Sequence, residues 1–240
     1  MKVSGNKILI TGGATGIGLG LTERFIAEGN QVIICGRRQD VLQEVVSKYP
    51  SVITKACDLA NETDRIDLYN WIAENHSDLN VLINNAGIQN RVHPMDKDYY
   101  EKAQTEININ VLAPLHLITL FTQLKSLDTV INVTSGLAFT PMSQMPVYCG
   151  TKAFFHSLTL SLRHLLLPQN IEVIEIIPPA LNTDLGGAGL HDEFPPVSDF
   201  IDAIFQQIKD GKNELTFGLS EMMSKAGPEQ LQGIFKRMNP

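Results

Sequence analysis

Short, nearly unbroken apolar runs alternate along this chain with longer segments whose apolar positions recur every three or four residues. The runs are Lys7 to Ile10, Gln31 to Cys35, Val52 to Ala56, Val81 to Ile83, Thr129 to Val133 and Glu172 to Ile177. Their brevity and β-branched content predict strands. Because polar residues do not alternate within them, both faces of the sheet should be covered, as in a parallel sheet. Between the runs, the spacing predicts helices over about residues 16–28, 38–48, 62–75, 98–124 and 146–167. Such alternation is what repeated βαβ units require, so the fold class is α/β, with a doubly wound parallel sheet and helices on both faces. Only the stretch NTDLGGAGLHDEFPPVSDF, residues 182–200, breaks the pattern. Its glycines and prolines predict a flexible flap at about 183–200, and too little chain comes after it to build a second core, so residues 1–240 form a single domain.

Composition narrows the partners. The chain has 240 residues, 43% of them hydrophobic, and a formal charge of -7 with lysine and arginine scattered. That balance argues against nucleic acid as a partner and requires anionic ligands to be gripped locally. Before its first glycine pair the amino terminus holds only three consecutive apolar residues, too few for a signal-peptide core, and no run approaches a membrane span. Cys35, Cys57 and Cys149 are odd in number and lie in or beside buried elements, which fits free thiols in the cytoplasm. The six histidines show no ligand spacing, so no metal is expected. His156 and His164 read as surface or interface residues of a long helix, and His191 falls in the flap.

Three local patterns carry chemistry. In ILITGGATGIGLGLTERF, glycines Gly12, Gly16 and Gly18 come after the first strand and open the first helix. There they permit a tight turn and close backbone approach to a pyrophosphate, whose charge meets the helix amino terminus. The same run also reads as a glycine turn that binds nothing; lacking a terminal lysine, it is not a P-loop. In VYCGTKAFF, Tyr148 and Lys152 stand one helical turn apart, so an ammonium and a phenol can approach one point and the lysine favours phenolate. The alternative is an amphipathic stripe ending in two amphipathic side chains. In EININVLAPLHL, Pro114 has no N–H for the carbonyl four residues earlier, that of Asn110.

Taken together, TGxxxGxG, NNAG at residues 84–87, Ser135, and YCGTK at residues 148–152 resemble the short-chain dehydrogenase/reductase family in order and spacing over about residues 5–185. The ending ELTFGLSEMM through FKRMNP is similar to its DltE-like bacterial branch. This resemblance implies a Rossmann-type sheet of order 3-2-1-4-5-6-7, with a seventh strand near Glu214 to Phe217. It also implies a catalytic group in which Tyr148 is the acid or base, Ser135 holds the substrate oxygen, Lys152 holds the nicotinamide ribose and Asn110 completes a proton path through water. A register slip of two would put Asn108 in the last role. Cofactor contacts are implied at Thr11, Gly12, Thr15, Gly16, Ile17 and Gly18 in the turn, at Asp58 and Leu59 near adenine, and at Asn84, Ala86 and Gly87 near the adenosine ribose. Thr183, after the sixth strand, completes the set. Ala113 and Pro179 stand where the family usually has glycine.

The cofactor preference turns on VIICGRRQD. Where NAD-dependent relatives carry an acidic residue after the second strand, Gly36 stands here, followed by Arg37 and Arg38. A guanidinium can grip a 2′-phosphate through paired hydrogen bonds, so NADP(H) is favoured over NAD(H), although Asp40 lies close enough to pair with one arginine. The expected activity is hydride transfer between nicotinamide and a carbonyl or secondary alcohol, by a homodimer or homotetramer assembled on helices 98–124 and 146–167. A non-catalytic NADP(H)-binding regulator is the alternative. Phe139, Met142 and Met145 read either as an apolar substrate wall or as core.

Overall fold

The computed structural model describes residues 1–240. Seven parallel strands form one sheet: β1 Lys7–Thr11, β2 Gln31–Gly36, β3 Ile53–Ala56, β4 Val81–Asn84, β5 Thr129–Val133, β6 Glu172–Ile177 and β7 Glu214–Thr216. Their order is β3-β2-β1-β4-β5-β6-β7. Nine helices accompany them: α1 Gly16–Ala27, α2 Gln39–Lys48, α3 Glu62–Asn75, α4 Tyr99–Ile107, α5 Ala113–Phe121, α6 Pro146–Leu165, α7 Val197–Lys209, α8 Leu219–Lys225 and α9 Pro228–Met238.

The unbroken apolar runs are explained by the two cores they feed. Ile8, Ile10, Ile34, Ile83 and Ile131 face Phe25 of α1 and Phe200 and Phe205 of α7. Their strand neighbours Leu9, Ile33, Leu82 and Val130 face Leu68 of α3, Leu117 and Phe121 of α5, and Phe155 of α6. Most positions of the central strands therefore meet a covered face, and polar alternation there would bury unpaired groups on one side or the other. On the first face the rings of Phe25 and Phe205 meet edge-on, with centroids 4.7 Å apart.

Two elements differ from expectation. The expected helix 98–124 is broken by a π-helical turn over Asn108–Leu112, in which the Ala113 N–H reaches the carbonyl of Asn108, five residues back. Pro114 has no N–H to continue the ladder, either to Asn110 in the α register or to Ile109 in the wider one. The expected flap, 183–200, ends early because α7 begins at Val197. Phe200, Ile201, Ile204, Phe205 and Ile208 form a buried helical stripe that anchors it. The remaining loop is closed on itself, since the Asn182 N–H bonds the Pro195 carbonyl at 2.9 Å.

With all strands parallel, their carboxyl ends share one edge. Winding reverses between β1 and β4, which are in register at Ile8 with Val81 and Ile10 with Ile83. A crevice opens outside the strand ends at such a point. There α1 packs so tightly that a Cβ on Gly18 would lie 2.1 Å from the Gly12 carbonyl oxygen and 2.5 Å from Nδ2 of Asn85. We expect Gly18→Ala to cost about 3 kcal/mol and to lower Tm by roughly 6–10 °C. Thermal unfolding checks this, with Gly150→Ala as a control: nothing lies within 4 Å of that added Cβ, so Tm should hold or rise.

Candidate active site

The crevice is framed by the turn after β1 and the loop after β4. The Thr11 hydroxyl donates to the Ile83 carbonyl at 3.3 Å and accepts the N–H groups of Asn85 and Ala86, each at 3.0 Å. Asn85 then donates its amide to the carbonyls of Thr11 and Gly12, at 2.9 and 3.2 Å. Asn85 is thus the member of the NNAG run that holds the glycine turn, although the motif reading assigned it nothing. Asn84 turns into the sheet and donates to Asn132 at 3.0 Å. Gly12 and Gly16 adopt φ of 64° and 52°, and a Cβ on Gly12 would stand 3.1 Å from the Ala86 backbone. Only glycine fits both the conformation and the gap. Thr15 makes no side-chain cap on α1, so the first N–H groups of that helix, at Gly16, Ile17 and Gly18, face the crevice without a side-chain partner. Thr183 closes the turn from the flap side: a Cβ on Gly16 would be 3.4 Å from its methyl.

The four expected catalytic residues converge on the next strand end. Ser135 comes just after β5, with its hydroxyl accepting the Leu137 N–H at 3.1 Å. Tyr148 and Lys152 lie on the inner face of α6, and the Lys152 ammonium donates to the Val133 carbonyl at 2.8 Å. It sits 5.6 Å from the centre of the Tyr148 ring. Asn110 reaches them from the π turn. Its amide brackets Ile88, accepting that residue's N–H at 2.9 Å and donating to its carbonyl at 2.8 Å, and also donates to Thr151 at 3.2 Å. All four are buried, Ser135, Tyr148, Lys152 and Asn110 being 8%, 6%, 5% and 2% exposed. Asn108 makes no such contacts and is only half-buried, so the geometry favours Asn110 over the slipped register.

Electrostatics corrects one expectation. Burial pushes the Tyr148 phenol well above its ordinary value, and the neighbouring Ser135 hydroxyl offsets part of the rise. Burial likewise lowers Lys152 to about 8. The ammonium is tied to a backbone carbonyl, not to the phenol oxygen, and burial, the largest influence on the phenol, acts against the phenolate in the unliganded chain. At neutral pH the tyrosine is a protonated acid.

At the far end of the crevice Arg37 and Arg38 are exposed. Neither is a partner in any ion pair of the chain, nor is Asp40. The Asp58 carboxylate accepts the Ala60 N–H at 3.0 Å, and buried Arg65 holds the Leu59 carbonyl at 2.5 Å, so this loop is fixed from behind. His164 is exposed as expected. His156 instead pairs with Glu175 of β6 at 2.9 Å; the carboxylate holds its pKa above the ordinary value and also accepts the Thr134 hydroxyl. His191 folds onto the flap, its ring 3.1 Å from the Thr183 carbonyl. No group of acidic, histidine and cysteine residues is arranged to hold a metal.

Glu106 carries no motif and lies in this site. It is fully buried on α4, accepts the Asn90 N–H at 3.1 Å through Oε1, and has no partner for Oε2. Burial raises its pKa from 4.5 to about 7, and its charge bears on Tyr148 and Cys149. Because the folded value exceeds the unfolded one, the stabilisation from the neutral acid is complete below pH 4.5 and is lost as pH rises through about 7. Replacing Glu106 by Gln keeps the bond from Asn90 and removes the charge. We expect this variant to gain ~2 kcal/mol over wild type above pH 7 and nothing below pH 4.5, read from urea midpoints across pH.

Comparison with known proteins bears on this geometry. The family profile described as short chain dehydrogenase matches residues 6–193. The chain is 39% identical to DltE, an uncharacterized oxidoreductase of Bacillus subtilis strain 168, over 100% of this chain and 98% of that one. It is 30% identical to the serine 3-dehydrogenase of Agrobacterium fabrum, covering 74% of this chain and 72% of that one. Among solved structures, a short chain dehydrogenase from Burkholderia cenocepacia in complex with NADP superposes with a TM-score of 0.85 at 25% identity, covering 99% of both chains. With the sheet order, the glycine turn and the buried tyrosine in agreement, the chain belongs to the short-chain dehydrogenase/reductase family of oxidoreductases.

Proposed function

We propose that this enzyme is an NADP(H)-dependent carbonyl reductase working through Tyr148, Ser135, Lys152 and Asn110. The observation that carries the reading is the buried phenol of Tyr148, kept protonated beside the Ser135 hydroxyl. A reduction needs that form, because the carbonyl oxygen must receive a proton as its carbon receives a hydride.

The residues fit a nicotinamide dinucleotide. Gly12 and Gly16 leave a gap that any Cβ would fill, and α1 starts without a side-chain cap, which together suit a pyrophosphate. When bound, the cofactor supplies the hydride. Ser135 donates its hydroxyl to the substrate oxygen, and Tyr148 gives up its proton to it. Lys152, already fixed by Val133, turns its remaining N–H groups to the ribose and steadies the phenolate that forms. Asn110 holds the Ile88 loop and the helix turn beside Lys152, with its carbonyl holding the water that returns a proton. Leu59 and Asp58 would line the adenine end, and Ala86 and Gly87 would lie along the adenosine ribose. Support for NADP(H) comes from Arg37 and Arg38, two exposed guanidiniums with no carboxylate pairing either, and from the NADP complex of the Burkholderia structure.

Exposed Ile107, Leu112, Leu115, Phe154 and Leu160, on α4, the π turn, α5 and α6, support assembly into a homodimer or homotetramer. No helix is long and apolar enough to cross a membrane. The three buried cysteines are all unpaired, which fits a reducing cytoplasm.

Substitutions at two positions test the reading. Changing Tyr148 to Phe should lower kcat for carbonyl reduction by roughly 10³-fold while leaving NADPH affinity, read by fluorescence titration, within about twofold of wild type, since the ring still packs; undiminished turnover would sink the assignment. Arg37→Ala should lower the NADPH to NADH ratio of kcat/KM by about 10–100-fold through the loss of a paired, charge-assisted contact. If the ratio holds and Arg38→Ala lowers it, the phosphate contact belongs to Arg38; a wild-type preference for NADH overturns the cofactor reading.

A further inference from the structure

The carbonyl-reductase reading leaves open what fixes the part of the site that meets the rest of the substrate. That wall is the loop between β5 and α6. Met145, Tyr148 and Cys149 form a small buried cluster, against which Leu137, Met142 and Leu185 pack. The tyrosine therefore sits among apolar side chains from the loop on one side and the flap on the other.

A loop that contains Pro141, runs into a helix opened by Pro146 and has no regular partner strand has few ways to satisfy its own backbone. Asn239, just past the end of α9, supplies them. Its Oδ1 accepts the Ser143 N–H at 2.6 Å, and its Nδ2 donates to the Pro141 carbonyl at 3.1 Å. A side-chain amide carries the same donor and acceptor as a peptide unit, so Asn239 stands in for a missing neighbouring strand. Its amide is itself tied to α9 by donating to the Phe235 carbonyl at 2.9 Å. A second tie runs from the buried Thr140 hydroxyl to the Leu231 carbonyl of α9 at 3.1 Å. Inward, the Met142 N–H meets Sγ of Cys149 at 3.3 Å, and outward the Gln144 carbonyl takes the Val92 N–H at 3.1 Å. The loop is thus fixed to α6 and the β4 loop on one side and to α9 on the other.

We propose that Asn239 is a specificity-determining positioning residue. By clamping residues 141–143 it holds Met142 and Met145 against Tyr148, and this wall receives the apolar substituent of the carbonyl substrate. The proposal deepens the carbonyl-reductase reading and rests on it for the substrate, but not for the clamp. A large part of the amino-acid sequence separates the clamp from the wall it shapes, so substrate choice is partly written in the carboxyl-terminal helix. Asn239 touches neither the glycine turn nor Lys152, and cofactor binding should not depend on it.

The test uses the full chain and two readouts. Backbone hydrogen exchange over residues 139–145, measured with NADPH present, needs no turnover. Asn239→Ala, which loses both loop bonds, should speed exchange there about tenfold, while Asn239→Asp, which keeps the acceptor and loses the donor, should fall between. The second readout is kcat/KM for straight-chain aldehydes from propanal to octanal. In Asn239→Ala the octanal to propanal ratio should fall about fivefold, mainly through KM, with NADPH affinity unchanged. Exchange equal to wild type in both variants overturns the clamp. Faster exchange with an unaltered ratio overturns its role in specificity. Absence of turnover by wild type with every aldehyde counts against the substrate wall and leaves the exchange result to decide the clamp, whereas loss of NADPH binding by wild type would strike at the carbonyl-reductase reading alone.

Discussion

The hydroxyl of Thr11 joins the two halves of this molecule. It donates once, to Ile83, and accepts twice, from Asn85 and Ala86, which uses its full hydrogen-bonding capacity. The bonds lie at the point where winding reverses, so they set the distance between the glycine turn after β1 and the loop after β4. Everything that would hold a dinucleotide depends on that separation. With its hydroxyl fully used, Thr11 has no side-chain hydrogen bond left to offer a ligand, and its part is to shape the turn. Asn85 repeats the tie in the opposite direction by donating to two carbonyls of the turn, and the close approach of α1 at Gly18 leaves the assembly no slack.

Around Tyr148 the dominant force is the loss of water. The phenol and the Glu106 carboxyl are both pushed upward and Lys152 downward, so burial favours the neutral form of all three. No opposite charge is set against any of them. Such a site resists holding fixed charge, and a charge that develops during reaction is felt strongly because little solvent screens it.

Much of this was legible from the amino-acid sequence for a physical reason. Strands covered on both faces are apolar along most of their length, and six of the seven were readable as such to within a residue or two. Strand β7, only three residues long, carries too little pattern and was implied by resemblance alone. Helix α7 was hidden because the prolines at 195 and 196 mark a loop, while the stripe from Phe200 to Ile208 begins immediately after them. At the site, the one-turn spacing paired Tyr148 with Lys152, and the family resemblance implied Ser135 and Asn110. Glu106 went unnamed, because an acidic residue on a helix ordinarily faces solvent. Asn239 has no motif at all: its partners, Pro141 and Ser143, are distant in the chain and contribute only backbone atoms.

The π turn at Asn108–Leu112 separates two helices that would otherwise be one. A π turn takes up one residue more than an α turn does, and across it α4 and α5 keep their buried residues on the side of the core. On one side Ala103 and Glu106 face inward, and on the other Ala113, Leu117 and Phe121 do. The segment behaves as a joint that takes up one residue more than an α turn would: Asn110 sits inside it, so closing it to the α register would shift the amide that brackets Ile88 even though α5 kept its packing.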